Sequence, residues 1–380
     1  MAISRFSFPT LIHFGPGARA MVKDNLKAQG VSRPLVVTDK GVAGLPMFKE
    51  ILSGLSGAGL KPTPFSGIWG NPVKTQVTEG VKAFREGKCD SIVGVGGGAA
   101  LDVAKAIALM IHHPGDLFDY EDDKPGARPF DQEIPYWVAI PTTAGTGSEV
   151  GRSSVVSDDQ THIKKIIFSP RLLARVVFAD PELTFDLPAK ITATTGMDAL
   201  THLVESYLAK GYHPLCDGIA LEGLRLAAGS LVQAVRKPRD VDARGAMMMA
   251  SMMGAIAFQK GLGLTHSCAH SLSTVADLHH GLANGIMIDH ALKFNIPTVP
   301  ERFTTMAVTI GLKNTSPEGF IQWLTGLKQE IGIPSKLTEV GLRVNQIDRL
   351  SDLAIQDACH QSNPRPCTRE DFYRIFGETL

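Results

Sequence analysis

The sequence predicts an α/β N-terminal domain, residues 1–187, followed by an all-helical C-terminal domain, residues 188–380. At 380 residues the chain exceeds the size at which a single hydrophobic core usually stops growing. Short β-branched runs alternate with helix-period segments in the first half, whereas the second half shows no convincing strand. The pattern changes near Leu187 and Pro188, and we place the domain boundary there.

The first half contains strand-like runs separated by segments with helical periodicity. The strand-like runs are RPLVVTD (33–39), CDSIVGVGGG (89–98), PYWVAIPTT (135–143) and ARVVFADP (174–181). The helical segments are VTEGVKAFREGK (77–88) and ALDVAKAIALMI (100–111). This alternation predicts a parallel sheet that is covered by helices on both faces.

The second half is predicted to be helical throughout. In ITATTGMDALTHLVESYLAKG we expect a helix with an N-cap at Thr194 or Thr195 and an end at Gly211. Further helical segments are predicted at 216–236, 243–260, 264–278, 282–293, 301–311, 317–331 and 370–380.

The composition is that of an ordinary soluble globular protein, with 44% hydrophobic and 20% charged residues. Lys+Arg and Asp+Glu both number 38, without a long basic run, so nothing indicates nucleic acid or an anionic membrane as a partner. Five scattered cysteines without a CxxC pair favour a reducing cytoplasm over a disulfide framework. The N-terminus lacks a secretory-leader pattern, and the apolar run at 246–258 is too short to span a bilayer. We therefore expect a cytoplasmic protein that acts on a small molecule.

Two loops at predicted strand ends could bind a phosphate. GVGGG (94–98) joins a strand to a helix, where glycines allow close approach of a phosphate to the helix N-terminus. It is not the GxGxxG fingerprint, and a tight turn explains these glycines equally well. PTTAGTGSE (141–149) follows the next strand with hydroxyl side chains. Two such loops at the carboxyl ends of neighbouring parallel strands favour a bound nucleotide over two coincidental turns.

Histidines and one aspartate in the second half are spaced as metal ligands. Asp198 and His202 stand four residues apart, which places both on one helix face, and His266 and His270 repeat that spacing. His280 follows ten residues later. Any one of these histidines alone would be typical of a hydrogen-bonded core residue, but one carboxylate and three imidazoles suit divalent iron or zinc. Spacing does not decide which three histidines bind.

Six motifs, in order over nearly the whole chain, resemble the iron-containing alcohol dehydrogenase family. They are GGGAALDVAKAIAL, PTTAGTGSEV, TGMDALTHLVESY, GLGLTHSCAHSL, HHGLANGIMIDHAL and NPRPCTREDF. The resemblance implies a dehydroquinate synthase-like fold, with a dinucleotide-binding α/β domain and a metal-binding, catalytic helical domain. It implies that the metal ligands are Asp198, His202, His266 and His280. His270 is then a catalytic residue beside the substrate and nicotinamide, and His279, where the family often has proline, is not a ligand.

The resemblance also implies the positions around the dinucleotide. They are Asp39, Asn71, Gly97, Gly98, Asp102, Thr142, Thr143, Thr146 and Lys164. A carboxylate at Asp39 would accept a hydrogen bond from a free ribose 2′-hydroxyl and repel a 2′-phosphate, which favours NAD over NADP. Two departures stand out, because Ala99 replaces a usual serine and Gly151-Arg152 replaces small or hydroxyl residues.

The function that we predict is hydride transfer between NAD and a short primary alcohol or ω-hydroxy acid, as an alcohol dehydrogenase or aldehyde reductase that uses Fe2+, with Zn2+ possible. We expect a homodimer. Arg152 could clamp a substrate carboxylate, pair with Glu149, or contact the dinucleotide phosphates. Two other classes remain open: a metal- and NAD-dependent lyase related to dehydroquinate synthase, and a non-catalytic metal-binding protein.

Overall fold

The computed structural model describes Phe8, residues 10–122 and residues 124–380. The chain forms two compact units, one made of Phe8–Thr143 and Ser148–Phe185 and the other containing Ala144–Gly147 and Asp186–Leu380. The first unit is α/β and the second is helical, which confirms the predicted fold class. The sequence did not indicate that the short segment Ala144–Gly147 clusters with the helical unit.

The α/β unit is built on a parallel sheet in the strand order β1-β8-β5-β4-β2-β3. Its strands are β1 (Leu11–Phe14), β2 (Pro34–Asp39), β3 (Thr63–Ile68), β4 (Ser91–Gly96), β5 (Tyr136–Pro141) and β8 (Val176–Ala179). An antiparallel pair, β6 (Ser153–Ser157) and β7 (Lys164–Phe168), lies outside this sheet. The four predicted strands correspond to β2, β4, β5 and β8. The edge strands β1 and β3 were not predicted, and β3 contains a proline and a glycine that weaken a strand pattern.

Helices connect these strands, and branched side chains of the sheet supply the core. The helices are α1 (Val22–Ala28), α2 (Lys40–Ala43), α3 (Pro46–Gly57), α4 (Lys74–Glu86) and α5 (Gly98–Met110). Val36, Val93, Val138 and Phe178 are fully buried within one apolar cluster. Strands that are buried on both faces need such continuous apolar runs, and this explains why the central strands could be predicted.

The strand order creates a switch point between β2 and β4. The chain leaves β2 toward β3 on one side and leaves β4 toward β5 on the other. In open α/β sheets, ligands bind at the carboxyl ends of adjacent strands whose connections diverge in this way. Asp39 ends β2 and Gly96 ends β4, so both stand at this point.

The second unit is helical in all of its described regular structure apart from short 3-10 turns. Its helices are α6 (Ala189–Leu208), α7 (Pro214–Arg236), α8 (Val241–Ala257), α9 (Leu264–Ala276), α10 (His280–Asn295), α11 (Pro300–Thr309), α12 (Pro317–Glu330), α13 (Ile347–Gln356) and α14 (Arg369–Thr379). The predicted segments correspond to these helices except α13, which was missed. Ile347, Leu350 and Ala354 of α13 are buried at helical spacing, so the signal was present.

Helix α6 corrects one prediction and leads to the functional site. It begins at Ala189 after Pro188, so Thr194 and Thr195 are not N-caps. Their hydroxyls instead donate to the carbonyl of Ile191, at 3.1 and 2.8 Å. Most of α6 is buried, including acidic and imidazole side chains, and buried polar groups of this kind need partners or a function. Among the residues that the structure describes, we find no helix with the length and apolarity needed to cross a membrane.

Candidate active site

Asp198, His202, His266 and His280 form one cluster of potential metal ligands in the helical unit. Asp198 and His202 come from α6, His266 from α9, and His280 is the first residue of α10. One ligand atom from each lies within 4.8 Å of the others. The distances from Asp198 Oδ1 to Nε2 of His202, His266 and His280 are 4.0, 3.9 and 3.3 Å. The structure therefore brings together the four residues that the sequence analysis assigned to the metal.

The charge of this cluster fits a divalent cation. The side chains of Asp198 and the nearby Glu205 are each only 2% exposed. Within the described part of the chain, no lysine or arginine forms an ion pair with either carboxylate. Buried carboxylates are normally paired or bound to a metal, and a divalent ion would balance two negative charges. Burial lowers the pKa of His202 to about 4, so its imidazole is neutral near pH 7, as a metal ligand must be.

Glu205 is a functional residue that the sequence analysis missed. It lies two turns after Asp198 on α6, and its carboxylate accepts hydrogen bonds from His266 Nδ1 at 2.7 Å and from the backbone N–H groups of Gly263 and Thr265 at 2.9 and 2.6 Å. Because Nδ1 must donate to a carboxylate, the lone pair of His266 Nε2 is directed to the cluster. Burial alone lowers the pKa of His266, but the hydrogen bond and charge of Glu205 outweigh it and raise that pKa.

Asn284 also touches the ligand set and was not predicted. Its Nδ2 atom lies 2.7 Å from Asp198 Oδ1 and 3.3 Å from Nε2 of both His266 and His280. In the described chain its buried Oδ1 has no hydrogen-bond partner. The amide N–H2 group of Asn284 faces lone pairs of Asp198, His266 and His280 that would bind a cation. Its position four residues after His280, on the same helix face, was the available signal.

The two remaining histidines of the predicted segment have different surroundings. His270 Nδ1 lies 2.7 Å from Asp357 Oδ2, and its ring stacks on that of His280 with centroids 5.3 Å apart. His270, Asp357 and Cys359 form a second group whose ligand-type atoms lie within 4.8 Å of one another. His279 is the exposed N-cap residue of α10 and belongs to neither ligand group among the described residues.

In the α/β unit, the loops after β4 and β5 lie side by side. Gly96 pairs with Pro141, and Thr142 N donates to Gly96 O at 3.0 Å. A Cβ on Gly96, which has a φ of 152°, would come within 2.6 Å of Ala100 Cβ, so only glycine fits. Helix α5 starts at Gly98 without a side-chain cap, which leaves its first N–H groups for another acceptor. These loops have the geometry of a phosphate-binding edge.

Asp39 stands at the same edge of the sheet, next to the glycines. Its Oδ1 accepts from Val42 N at 2.9 Å as the cap of α2. A Cβ added to Gly96 would lie 3.3 Å from Asp39 Oδ2, so this second oxygen borders the glycine loop. Oδ1 therefore keeps the carboxylate oriented, and Oδ2 faces the glycine loop.

Asp102 was predicted to contact the cofactor, but its carboxylate is occupied by the protein. Oδ1 accepts from Ser148 Oγ at 2.6 Å and lies 3.4 Å from Lys105 Nζ, and Oδ2 accepts from Val155 N at 3.1 Å. These bonds tie α5 to β6 and to the segment after the threonine-rich loop. Asp102 thus holds the segment around Ser148 and strand β6 in place, and its contact with the cofactor stays a prediction.

The other predicted cofactor residues lie in separate segments. Thr142 and Thr143 follow β5, whereas Thr146 falls in the segment that clusters with the helical unit. The segments that contain Asn71 and Lys164 meet at Ser157. Its backbone N–H donates to the carbonyl of Pro72, next to Asn71, at 2.7 Å, and it pairs with Lys164 in the β6–β7 ladder.

Arg152 and Glu149 lie in the segment that was predicted to line the substrate crevice. The guanidinium carbon of Arg152 lies 5.3 Å from the centroid of the Phe168 ring, within the range of a cation–π contact. Glu149 is 2% exposed, and burial raises the pKa of its carboxyl to about 7.

A nucleotide-binding edge in one unit and a cluster of three imidazoles and one carboxylate in the other define a metal- and nucleotide-dependent enzyme. Comparison with known proteins makes the class specific. The profile of the iron-containing alcohol dehydrogenase family matches residues 9–181, and that of the Fe-containing alcohol dehydrogenase family, C-terminal, matches residues 192–380. The chain belongs to the iron-containing alcohol dehydrogenase family.

Individual relatives agree with this assignment. The chain is 37% identical to 4-hydroxybutyrate dehydrogenase of Cupriavidus necator, with 98% of both chains covered. It is 36% identical to 1,3-propanediol dehydrogenase of Klebsiella pneumoniae, with 98% of this chain and 97% of the relative covered. The crystal structure of a 1,3-propanediol oxidoreductase is 35% identical and superposes with a TM-score of 0.94 over 99% of this chain and 100% of that one. The protein is thus a metal-dependent, NAD-linked alcohol oxidoreductase, and the predicted dehydrogenase class is confirmed over the lyase and the non-catalytic metal-binding protein.

Proposed function

We propose that the protein uses Fe2+, held by Asp198, His202, His266 and His280, to interconvert a short primary alcohol or ω-hydroxy acid and its aldehyde with NAD. The observation that carries the proposal is the convergence of one carboxylate and three imidazole nitrogens within 4.8 Å, at a site whose buried carboxylates have no lysine or arginine partner among the described residues. A divalent metal bound there supplies Lewis-acid polarisation of the alcohol or carbonyl oxygen. Nitrogen and oxygen ligands also bind zinc, so iron occupancy depends on metal supply as well as geometry.

The cofactor in this proposal is NAD, held at the carboxyl edge of the α/β sheet. The uncapped start of α5 at Gly97 and Gly98 would receive the pyrophosphate. Asp39 Oδ2 would accept from the ribose 2′-hydroxyl and repel a 2′-phosphate, so NADP should be a poor substitute. Asn71, Thr142, Thr143, Thr146 and Lys164 complete the proposed contact set.

His270 is the residue that we propose for proton movement. Its ring stacks on His280, so it borders the ligand cluster, while its own Nδ1 is hydrogen-bonded to Asp357. A neutral imidazole with Nδ1 donating has its Nε2 lone pair available to accept a proton. Such a base contributes to alcohol oxidation and, as its conjugate acid, to aldehyde reduction.

The proposed substrate class is based on the relatives and on the positively charged side chain of Arg152. A 4-hydroxybutyrate dehydrogenase and a 1,3-propanediol dehydrogenase are similarly close relatives, so identity alone does not separate an ω-hydroxy acid from a neutral diol. Arg152 could pair bidentately with the carboxylate of an ω-hydroxy acid, and its contact with Phe168 would hold the guanidinium in place.

We further propose a cytoplasmic homodimer that has no nucleic-acid or membrane partner. Strand β1 is an edge of the sheet, and its Leu11 and Phe14 side chains are 58% and 43% exposed. An apolar sheet edge is commonly covered by another chain, and a second copy is the simplest candidate.

The test is an anaerobic assay of NADH formation over ethanol, 1,3-propanediol and 4-hydroxybutyrate, with the metal-free protein reloaded with Fe2+ or Zn2+. The proposal expects turnover that requires added metal, is highest with Fe2+ and is far lower with NADP. Equal turnover of the metal-free protein, or equal turnover with NADP, would contradict it.

A further inference from the structure

Asp357 follows α13 and is held from three sides by donors of the helical unit. Its Oδ1 accepts from Cys359 N at 2.8 Å and from Ser267 Oγ at 2.7 Å, and its Oδ2 faces His270 Nδ1 at 2.7 Å. Ser267 Oγ accepts in turn from His360 N at 3.0 Å, so its hydroxyl hydrogen is free for Asp357. The carboxylate is therefore a fixed acceptor, with both oxygens assigned to particular donors.

Burial alone raises the pKa of Asp357, but the attraction of His270 and the hydrogen bonds from His270, Ser267 and Cys359 N outweigh it and lower that pKa. The group is thus ionised at neutral pH and has no proton to donate. His270 must donate through Nδ1, and a neutral His270 must then carry its lone pair on Nε2.

We propose that Asp357 is a positioning residue that keeps His270 in the tautomer whose Nε2 accepts the alcohol proton. This inference rests on the proposed function of His270. In the oxidation, the O–H proton moves to His270 Nε2, the C–H hydride moves with its electron pair to the nicotinamide ring, and the C–O single bond becomes the carbonyl. Asp357 keeps its charge throughout and stabilises the imidazolium that forms.

The structure predicts which replacement of Asp357 is the most damaging. In Asp357→Asn, the backbone N–H of Cys359 cannot move or change its role, so it holds the amide oxygen at the Oδ1 position. The amide N–H2 group then faces His270 Nδ1, which must become an acceptor, and the proton moves to Nε2. Asp357→Ala removes more atoms but leaves His270 free to adopt either tautomer. Asparagine should therefore be worse than alanine.

The experiment measures kcat and KM for alcohol oxidation, together with bound metal and melting temperature, in the metal-loaded wild type and in variants at positions 357 and 270. Asp357→Asn should lower kcat by about 10²-fold or more, the usual contribution of a general base, while KM and metal content stay close to wild type. Asp357→Ala should lose less, and Asp357→Glu, which retains an acceptor, should recover most of kcat. The matched control is Asp352→Asn, on the exposed side of α13 where Asp352 pairs with Arg369, and it should retain wild-type kcat.

A double variant separates positioning from a general structural role. Adding Asp357→Asn to His270→Ala should cause no further loss of kcat, because the two residues act as one unit. Additive losses, an alanine variant as poor as the asparagine variant, or a glutamate variant without recovery would overturn the inference. If His270→Ala itself keeps wild-type turnover, the proposed role of His270 fails together with that of Asp357. If His270→Ala is inactive while Asp357→Asn is normal, only the role of Asp357 fails.

Discussion

Replacing Glu205 by glutamine should weaken metal binding although Glu205 is not a ligand. The carboxylate receives His266 Nδ1 and Gly263 N on Oε2 and Thr265 N on Oε1. Glutamine has only one acceptor oxygen. At the Oε2 position, that oxygen keeps the hydrogen bonds from His266 Nδ1 and Gly263 N. The amide N–H2 group then lies at the Oε1 position, 2.6 Å from Thr265 N, where two donors face each other. The variant loses one buried hydrogen bond and one of the two negative charges that the cation balances.

The expected loss is 10- to 100-fold in metal affinity, the usual range for residues that orient a metal ligand, or about 1.4–2.7 kcal/mol. The unpaired N–H of Thr265 should add a stability cost of about 1–3 kcal/mol. Anaerobic competition with a chromophoric chelator measures the first quantity, and denaturant unfolding of the metal-free protein measures the second. The control is Glu222→Gln, because Glu222 is half exposed and pairs with Arg225 on its own helix. If Glu205→Gln and Glu222→Gln bind metal equally well, the orienting role of Glu205 is refuted.

Other predictions concern the α/β unit. Asp39→Gly should lower the NAD-to-NADP ratio of kcat/KM, because it removes the repulsion of a 2′-phosphate; an unchanged ratio would place the ribose elsewhere. Arg152→Ala should cost an ω-hydroxy acid roughly 1.5–3 kcal/mol in kcat/KM and a neutral alcohol of equal length almost nothing, whereas equal losses would point to the cofactor or the fold. Burial raises the pKa of Glu149 from 4.5 to about 7, so the folded state binds the extra proton and stability falls as pH rises between these values. Glu149→Gln should therefore be more stable than wild type by up to roughly 3 kcal/mol at pH 8 and by little at pH 4.5, as compared by denaturant unfolding at both pH values.

Local periodicity explains which parts of the fold could be predicted from the sequence. The central strands β2, β4 and β5 are buried on both faces and therefore appear as continuous apolar runs. Edge strands such as β3, with Pro64 and Gly67, have no such run, because only one neighbour and one set of hydrogen bonds constrain them. The start of α6 was misplaced because Thr194 and Thr195 have the composition of a cap but bond backwards to Ile191.

The same reasoning applies to the site. The i, i+4 spacing of Asp198 and His202 predicted a shared helix face. Glu205 lies one turn further along that face, so the same spacing argument could have predicted it. Asp357 could not be predicted from the sequence, because it is 87 residues from its partner His270 and no local pattern encodes that contact. The contacts of Asp102 with Ser148 and Val155 could not be predicted either, since these partners lie 46 and 53 residues away.

Metal content measured beside turnover in three single-histidine variants tests the central claim most directly. His266→Ala and His280→Ala each remove one proposed ligand, whereas His279→Ala removes an exposed neighbour from the same segment. After anaerobic loading with Fe2+ and removal of excess metal, the first two variants should lose bound metal and NADH formation together, and His279→Ala should retain both near wild-type levels. Equal losses in all three, or full metal retention without His266 or His280, would contradict the ligand set on which the proposed chemistry depends.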